Sequence, residues 1–285
     1  MLSVKALTPS LIPSEVFKNI YGENGGMITN PQTLISDEED LSDLASKNEL
    51  LKELLSTPVT RNDLLPELKV VSLGVNQVLY EMGDKIDAVY LPIDSVVSGL
   101  AIMEDGTTIE TSMVGREGMI GISTILGSGF SRQWNWVLVN GTAIQLEAKL
   151  LDRLIVRNEN ALKAVLRCYR SLTTQVTQRC VCNTRHTILE RLCCWLLMLH
   201  DRVTGENLRL TQEMIASRLG ARRAGITVAA GMLQAMHAIE YRRGQLHIRD
   251  REVLENAVCE CYGTMRADWT HSPAPRLYGL LAVNE

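Results

Sequence analysis

The chain has 285 residues, a net charge of −4 and a hydrophobic content of 46%. That length suits about two domains with packed cores, and no uncharged apolar run reaches the roughly 18 residues that a membrane-spanning helix needs. The N-terminus is too weakly apolar for a secretory signal, so a cytoplasmic chain with no membrane partner is expected. The cysteines are Cys168, Cys180, Cys182, Cys193, Cys194, Cys259 and Cys261. An odd number in that compartment argues against a disulfide framework.

Residues 1–45 combine turn-forming residues with the acidic run Asp37-Glu38-Glu39-Asp40 and read as a mobile arm. Leu41 to Leu55 has helical apolar spacing and predicts a short leading helix that overlaps the end of this arm. From Leu68 to Leu146 the runs KVVSL, QVLYEMG, DAVYLPI, SVVSGLAIM, TTIETSMVG, WVLVNG and TAIQLE are short, β-rich and broken by Gly, Asp and Asn. Asp105-Gly106 is a hairpin-turn signal between two of them. Many short strands without a βαβ pattern predict a rolled antiparallel sheet over 46–150 and argue against a Rossmann-type sheet.

Helical periodicity takes over from Leu150 to Arg202. Leu162, Val165, Tyr169, Leu172 and Val176 recur at spacings of three and four, which suits the seam of a dimerisation helix over 151–184. The same spacing also fits a helix lying on its own β-domain. The seam weakens at Cys182-Asn183-Thr184, the expected hinge. Leu189, Leu192, Trp195, Leu196 and Leu199 then start a new apolar face.

A C-terminal domain is expected over 185–265. Ala216 sits where two helices must approach, Gly220 marks a turn four residues later, and Ile226 anchors a second helix. This is helix-turn-helix spacing, which places the second helix in a DNA major groove. The hairpin IEYRRGQLHIRD follows as a wing. From Leu208 to Arg249 there are seven arginines (Arg209, Arg218, Arg222, Arg223, Arg242, Arg243, Arg249) against two acids, Glu213 and Glu240. A basic face of this kind acts on phosphates within a Debye length of about 10 Å at 0.1 M salt, whatever the net charge of the whole chain. Residues 266–285 contain Pro273 and Pro275 and read as a tail.

The segments VLYEMGDKIDAVYLPIDSVVSGLAIMEDG, VGREGMIGI and LTQEMIASRLGARRAGITVAAGMLQ, with the ending Cys259-Glu260-Cys261-Tyr262, resemble the cyclic-AMP receptor protein/FNR (CRP/FNR) family of bacterial transcription regulators. The resemblance spans about Leu64 to Tyr262. It implies an α+β fold: an antiparallel β-roll of the cyclic-nucleotide-binding kind, a long dimerisation helix and a winged helix-turn-helix. It further implies a homodimer on a two-fold operator, with duplex DNA, a second copy of the chain and RNA polymerase as partners. The alternative reading is a cyclic-nucleotide-responsive signalling module that acts through a protein partner.

By motif position, Arg222, Arg223 and Thr227 are the expected base readers, because an Arg fork matches guanine O6 and N7. Ala224 and Val228 depart from residues common in the family, so the operator is expected to differ from its best-known site. Arg209, Thr211, Gln212, Arg218, Arg242 and Arg243 are expected on phosphates, with Thr211 also an N-cap. His237 reads as a helix-end residue. In nucleotide-binding relatives an Arg-Ser or Arg-Thr pair neutralises the phosphate. Here Ser131-Arg132-Gln133-Trp134 departs from that order, so no cofactor is expected, and Glu117 and Arg132 are the residues left for an effector pocket. Glu117 reads equally as a residue that holds its own loop.

No metal is expected either: Cys180-x-Cys182 and Cys193-Cys194 do not match zinc spacings, and buried cysteines serve by default as small hydrophobes. All five histidines follow the strand region, and neither G-x-S-x-G nor a Walker lysine occurs, so no enzyme is expected.

Overall fold

The computed structural model describes residues 38–203 and 207–269. Positions 1–37 of the expected arm and the expected tail from position 270 lie outside the described residues, while 38–45, read as part of the arm, instead form a helix on which Ala45 is buried. Three short helices lead in: α1 (Glu38–Ser46), α2 (Glu49–Leu54) and α3 (Pro58–Leu64). The leading helical segment is thus broken in two, at Asn48, whose side chain caps α2. Asn48 also donates to the carbonyls of Pro92 and Gly118, at 2.9 and 3.0 Å, and so ties these helices to the β-domain.

Seven strands follow: β1 (Lys69–Leu73), β2 (Val78–Tyr80), β3 (Ala88–Pro92), β4 (Val96–Ile102), β5 (Thr108–Val114), β6 (Trp134–Val139) and β7 (Gly141–Glu147). They form two antiparallel sheets, in the orders β1-β7-β3 and β2-β6-β4-β5. Alternate residues point inward from both, and Val71, Leu73, Tyr90, Val97, Val137 and Ala143 share one core. Gly106, at φ +82°, closes the β4–β5 hairpin, and the Asp105 carboxylate accepts the Thr107 N–H.

Helices α4 (Ala148–Arg157), α5 (Glu159–Arg185) and α6 (Ile188–His200) succeed one another, with Asn158 capping α5 and Thr187 opening α6 through a capping box with Glu190. The helix break therefore falls at His186-Thr187, a few residues beyond the expected hinge. The seam also needs correcting. Val165 is fully buried and Leu172 packs beside it, both against the chain's own β-domain. The large apolar residues that α5 leaves exposed are Leu162, Leu166, Tyr169, Val176 and, near its end, Val181. Periodicity alone could not separate these two adjacent faces.

The C-terminal part comprises β8 (Asn207–Arg209), α7 (Gln212–Leu219), α8 (Arg223–Ala235), β9 (Ile239–Arg242), β10 (Gln245–Ile248), α9 (Arg251–Ala257) and α10 (Glu260–Trp269). The residues read as the start of a tail, 266–269, instead complete α10, where Met265 and Ala267 are buried. Its core centres on Trp195, Leu196, Ile215, Ile226 and Leu233, and it is continuous with Val96, Met113 and Leu138 of the β-domain. No helix among the described residues is long and apolar enough to cross a membrane.

Candidate nucleic-acid interface

Helices α7 and α8 are set by their ends. The Thr211 hydroxyl accepts the Met214 N–H at 3.1 Å, so Thr211 caps α7. At the other end Gly220 adopts φ +55°, and the N–H groups of Gly220 and Ala221 bond back to Ser217 and Ala216. That left-handed residue makes the turn at low cost only as glycine. Ile226, Ala229, Ala230 and Leu233, spaced three and four apart, bury one face of α8. The burial of Ile226 and Leu233 contributes about 1.5–3 kcal/mol each. A Cβ on Gly225 would lie 2.6 Å from Ile188 Cδ1, so the first turn of α8 is pressed against α6. The far end of α8 closes with His237 in the left-handed region at φ +58°, as a helix-end residue.

With that face buried, Arg222, Arg223, Ala224, Thr227 and Val228 are exposed together. No side chain caps the N-terminus of α8; the Gly225 N–H bonds back to the Arg222 carbonyl at 2.9 Å, and the N–H groups ahead of it are available to an anion. The Thr227 hydroxyl donates to Gln212 Oε1 at 2.7 Å, which joins the first turns of the two helices. Arg223 lies 3.9 Å from Glu213, and both are exposed. A pair of this kind stabilises by about 1 kcal/mol at most, so a better partner displaces Glu213 easily.

The wing stands beside this surface. In the sheet β8-β10-β9, Gln245 pairs with Arg209 on one side and Arg242 on the other. Directly opposed residues share a face, so the two arginines form one exposed row with Gln245 between them. The hairpin turns at Arg243-Gly244, with φ +51° and +75°. Two positive φ values define a type I′ turn, whose first position favours Asn or Gly. Arg243 is held there against its backbone preference. Tyr241 braces the wing by donating to the Leu210 carbonyl at 2.7 Å. Arg249 holds the Glu240 carboxyl below its usual range, chiefly by hydrogen bonding.

Arg218 does not join this surface, contrary to its reading as a phosphate contact. It is 1% exposed, with its guanidinium 6.0 Å from the centre of the Trp136 ring. Helix α7 packs on β5, where Ser217 meets Thr108 and Gly220 lies on Ile109. Nothing in the local sequence says which face of α7 meets the β-domain.

The expected effector residues are not brought together. Glu117 accepts Arg202 Nε at 2.8 Å and the Gly115 N–H at 3.1 Å, so it holds its own loop. Arg132 is exposed, and no hydrogen bond or ion pair joins it to Glu117. Gln133, just before β6, lies over β4 and β5: it accepts Thr111 Oγ1 and donates to Ser112 Oγ, and a Cβ on Gly99 would lie 2.2 Å from its amide nitrogen.

Comparison with known proteins bears on this arrangement. Residues 190–257 match the Crp-like helix-turn-helix domain family. FixK2 from Bradyrhizobium japonicum superposes with a TM-score of 0.58 at 16% identity, covering 67% of this chain and 98% of its own. A protein from Eubacterium rectale described as a regulator of the crp/fnr family gives 0.60 at 15% identity, covering 74% and 98%. The chain has the fold of a CRP/FNR transcription regulator. The c-di-GMP-responsive global regulator CLP from Xanthomonas campestris shares that fold, with a TM-score of 0.54 at 15% identity, over 67% of this chain and 99% of that one. No curated protein sequence matches the chain significantly.

Proposed function

We propose that the chain is a cytoplasmic, homodimeric, sequence-specific DNA-binding regulator of the CRP/FNR type. The observation that carries this reading is the exposure of Arg222, Arg223 and Thr227 at the start of α8 and of Arg209, Arg242 and Arg243 in the wing. Arg223 and Arg222 read base edges, the Thr227 methyl packs on a base or sugar, and the wing arginines hold phosphates. Gln212 Nε2 and the uncapped end of α8 add phosphate contacts. The exposed stripe Leu162, Leu166, Tyr169 and Val176 takes a second copy of the chain, which places two α8 helices about 34 Å apart on successive grooves.

Salt dependence tests this reading. Three wing arginines per protomer make six phosphate contacts in a dimer, so log K against log salt should fall with a slope of about −5. Substitution of Arg209, Arg242 and Arg243 by Ala should flatten most of it. A slope that survives the triple substitution would remove the wing from the interface.

A further inference from the structure

Four potential metal ligands that lie far apart in the sequence meet at the end of α5. Cys182 lies on its last turn, and His186 is the extended residue that ends it, with its N–H bonded back to the Cys182 carbonyl at 3.1 Å. Cys259 and Cys261 flank the first residue of α10. Cys182 Sγ, His186 Nδ1, Cys259 Sγ and Cys261 Sγ form one group, with all ligand atoms within 4.8 Å of one another. The Cys182 and Cys259 sulfurs are 3.6 Å apart, and Cys261 Sγ is 3.6 Å from His186 Nδ1. A tetrahedral zinc ion with Zn–S near 2.3 Å and Zn–N near 2.0–2.1 Å sets edges of about 3.8 Å between sulfurs and about 3.5 Å between sulfur and nitrogen. Both measured edges fit.

Two further features point to a ligand. The outer ring nitrogen of His186, Nε2, faces Glu260 Oε2 at 3.3 Å. Zinc-bound histidines commonly present their second nitrogen to a carboxylate in this way, which fixes the ring with the other nitrogen toward the metal. A patch of cysteines acting only as small hydrophobes needs no imidazole among its sulfurs and no carboxylate behind it. The three ligand cysteines are buried and all are free thiols, and the buried Cys194 thiol lies within hydrogen-bonding reach of Cys182 and Cys259.

We infer that Cys182, His186, Cys259 and Cys261 form a closed structural site for zinc. Three sulfurs and one nitrogen are a soft donor set that selects zinc over magnesium or calcium. Four protein ligands leave no open position, so the ion holds structure and carries out no reaction. On binding, the three thiols give up their protons to solvent, and the site carries a charge of −1. The ion ties the last turn of α5 to the start of α10 and so fixes the helix break through which the helix-turn-helix joins the rest of the chain. The site does not depend on the DNA-binding reading. Scanning along the sequence missed it because its two halves are separated by more than seventy residues and meet only through the packing of α10 on α5.

The test uses the full chain, prepared metal-free under reducing conditions. Native mass spectrometry should show one zinc per polypeptide, and cobalt substitution should give the visible ligand-field bands of a tetrahedral thiolate site. Cys259→Ser and Cys261→Ser should each lower zinc affinity at least tenfold, and Glu260→Gln should lower it about 10–100-fold. Cys180→Ser, at an exposed thiol outside the group, should change nothing. His186→Cys should keep the metal and shift the cobalt spectrum, which protects the test against variants that fail to fold. The inference is overturned if the wild-type chain takes up no zinc, if Cys259→Ser and Cys261→Ser bind it as the wild type does, or if Cys182 and Cys259 remain joined as a disulfide in excess reductant.

Discussion

Glu110 offers the sharpest test of how the helix-turn-helix is held to the β-domain. This residue on β5 is 1% exposed, yet it ties together three elements. One carboxylate oxygen accepts Trp195 Nε1 from α6 at 2.8 Å, and the other accepts Ser98 Oγ from β4 at 2.5 Å. Arg179 of α5, itself buried, faces the carboxylate at 3.5 Å, donates to the Glu110 carbonyl at 3.0 Å and reaches the Arg218 carbonyl at 3.3 Å. Glu110→Ala removes the only acid paired with Arg179 among the described residues and strands the indole N–H. Breaking a buried pair from one side costs about 3–5 kcal/mol, a large part of a total stability of about 5–15 kcal/mol. In thermal unfolding the midpoint should fall by on the order of 10 °C. Replacing both partners, as in Glu110→Met with Arg179→Met, should cost much less than the sum of the single changes, because no charge is then left stranded. A loss below about 1 kcal/mol for Glu110→Ala, or simple additivity in the double variant, would refute the network as a clamp.

Two other substitutions follow from the geometry. Arg243→Asn should raise stability in denaturant titrations by about 1 kcal/mol, since Asn tolerates the left-handed region that Arg resists, while it weakens binding to every DNA sequence alike; a destabilised hairpin would contradict the type I′ turn. Tyr169→Asp places a charge on the exposed stripe of α5 and should shift sedimentation from dimer to monomer with the fold intact by circular dichroism. A persistent dimer would move the interface elsewhere.

Much of the fold was legible because it rests on local chemistry. The seven strands follow from β-branched runs ended by Gly, Asp and Asn, and Thr211 and Gly220 mark the ends of α7 through their own backbone preferences. The exposed part of α8 follows from the apolar spacing of Ile226, Ala229, Ala230 and Leu233. What was not legible depends on which face meets which neighbour. Arg218 looks like any surface arginine until α7 is packed on β5. Leu166 and Val165 are adjacent in sequence, and only the β-domain decides which of them is buried. Glu117 and Arg132 suggested a pocket by motif position, but Arg202, from the turn that follows α6 eighty-odd residues later, occupies the first. The four-ligand group at the end of α5 is the extreme case, assembled by two helices that no sequence window contains.

Selection of bound duplexes from a random library, at about 0.15 M salt with full-length wild type and Arg223→Ala in parallel, tests the central claim most directly. The wild type should enrich a two-fold symmetric site with half-sites about one helical turn apart. Arg223→Ala should lose preference at one symmetric position, at a cost of about 1–3 kcal/mol on the parent site, and keep it elsewhere. A wild-type pool that stays random, or a variant that weakens every sequence equally, would contradict the account.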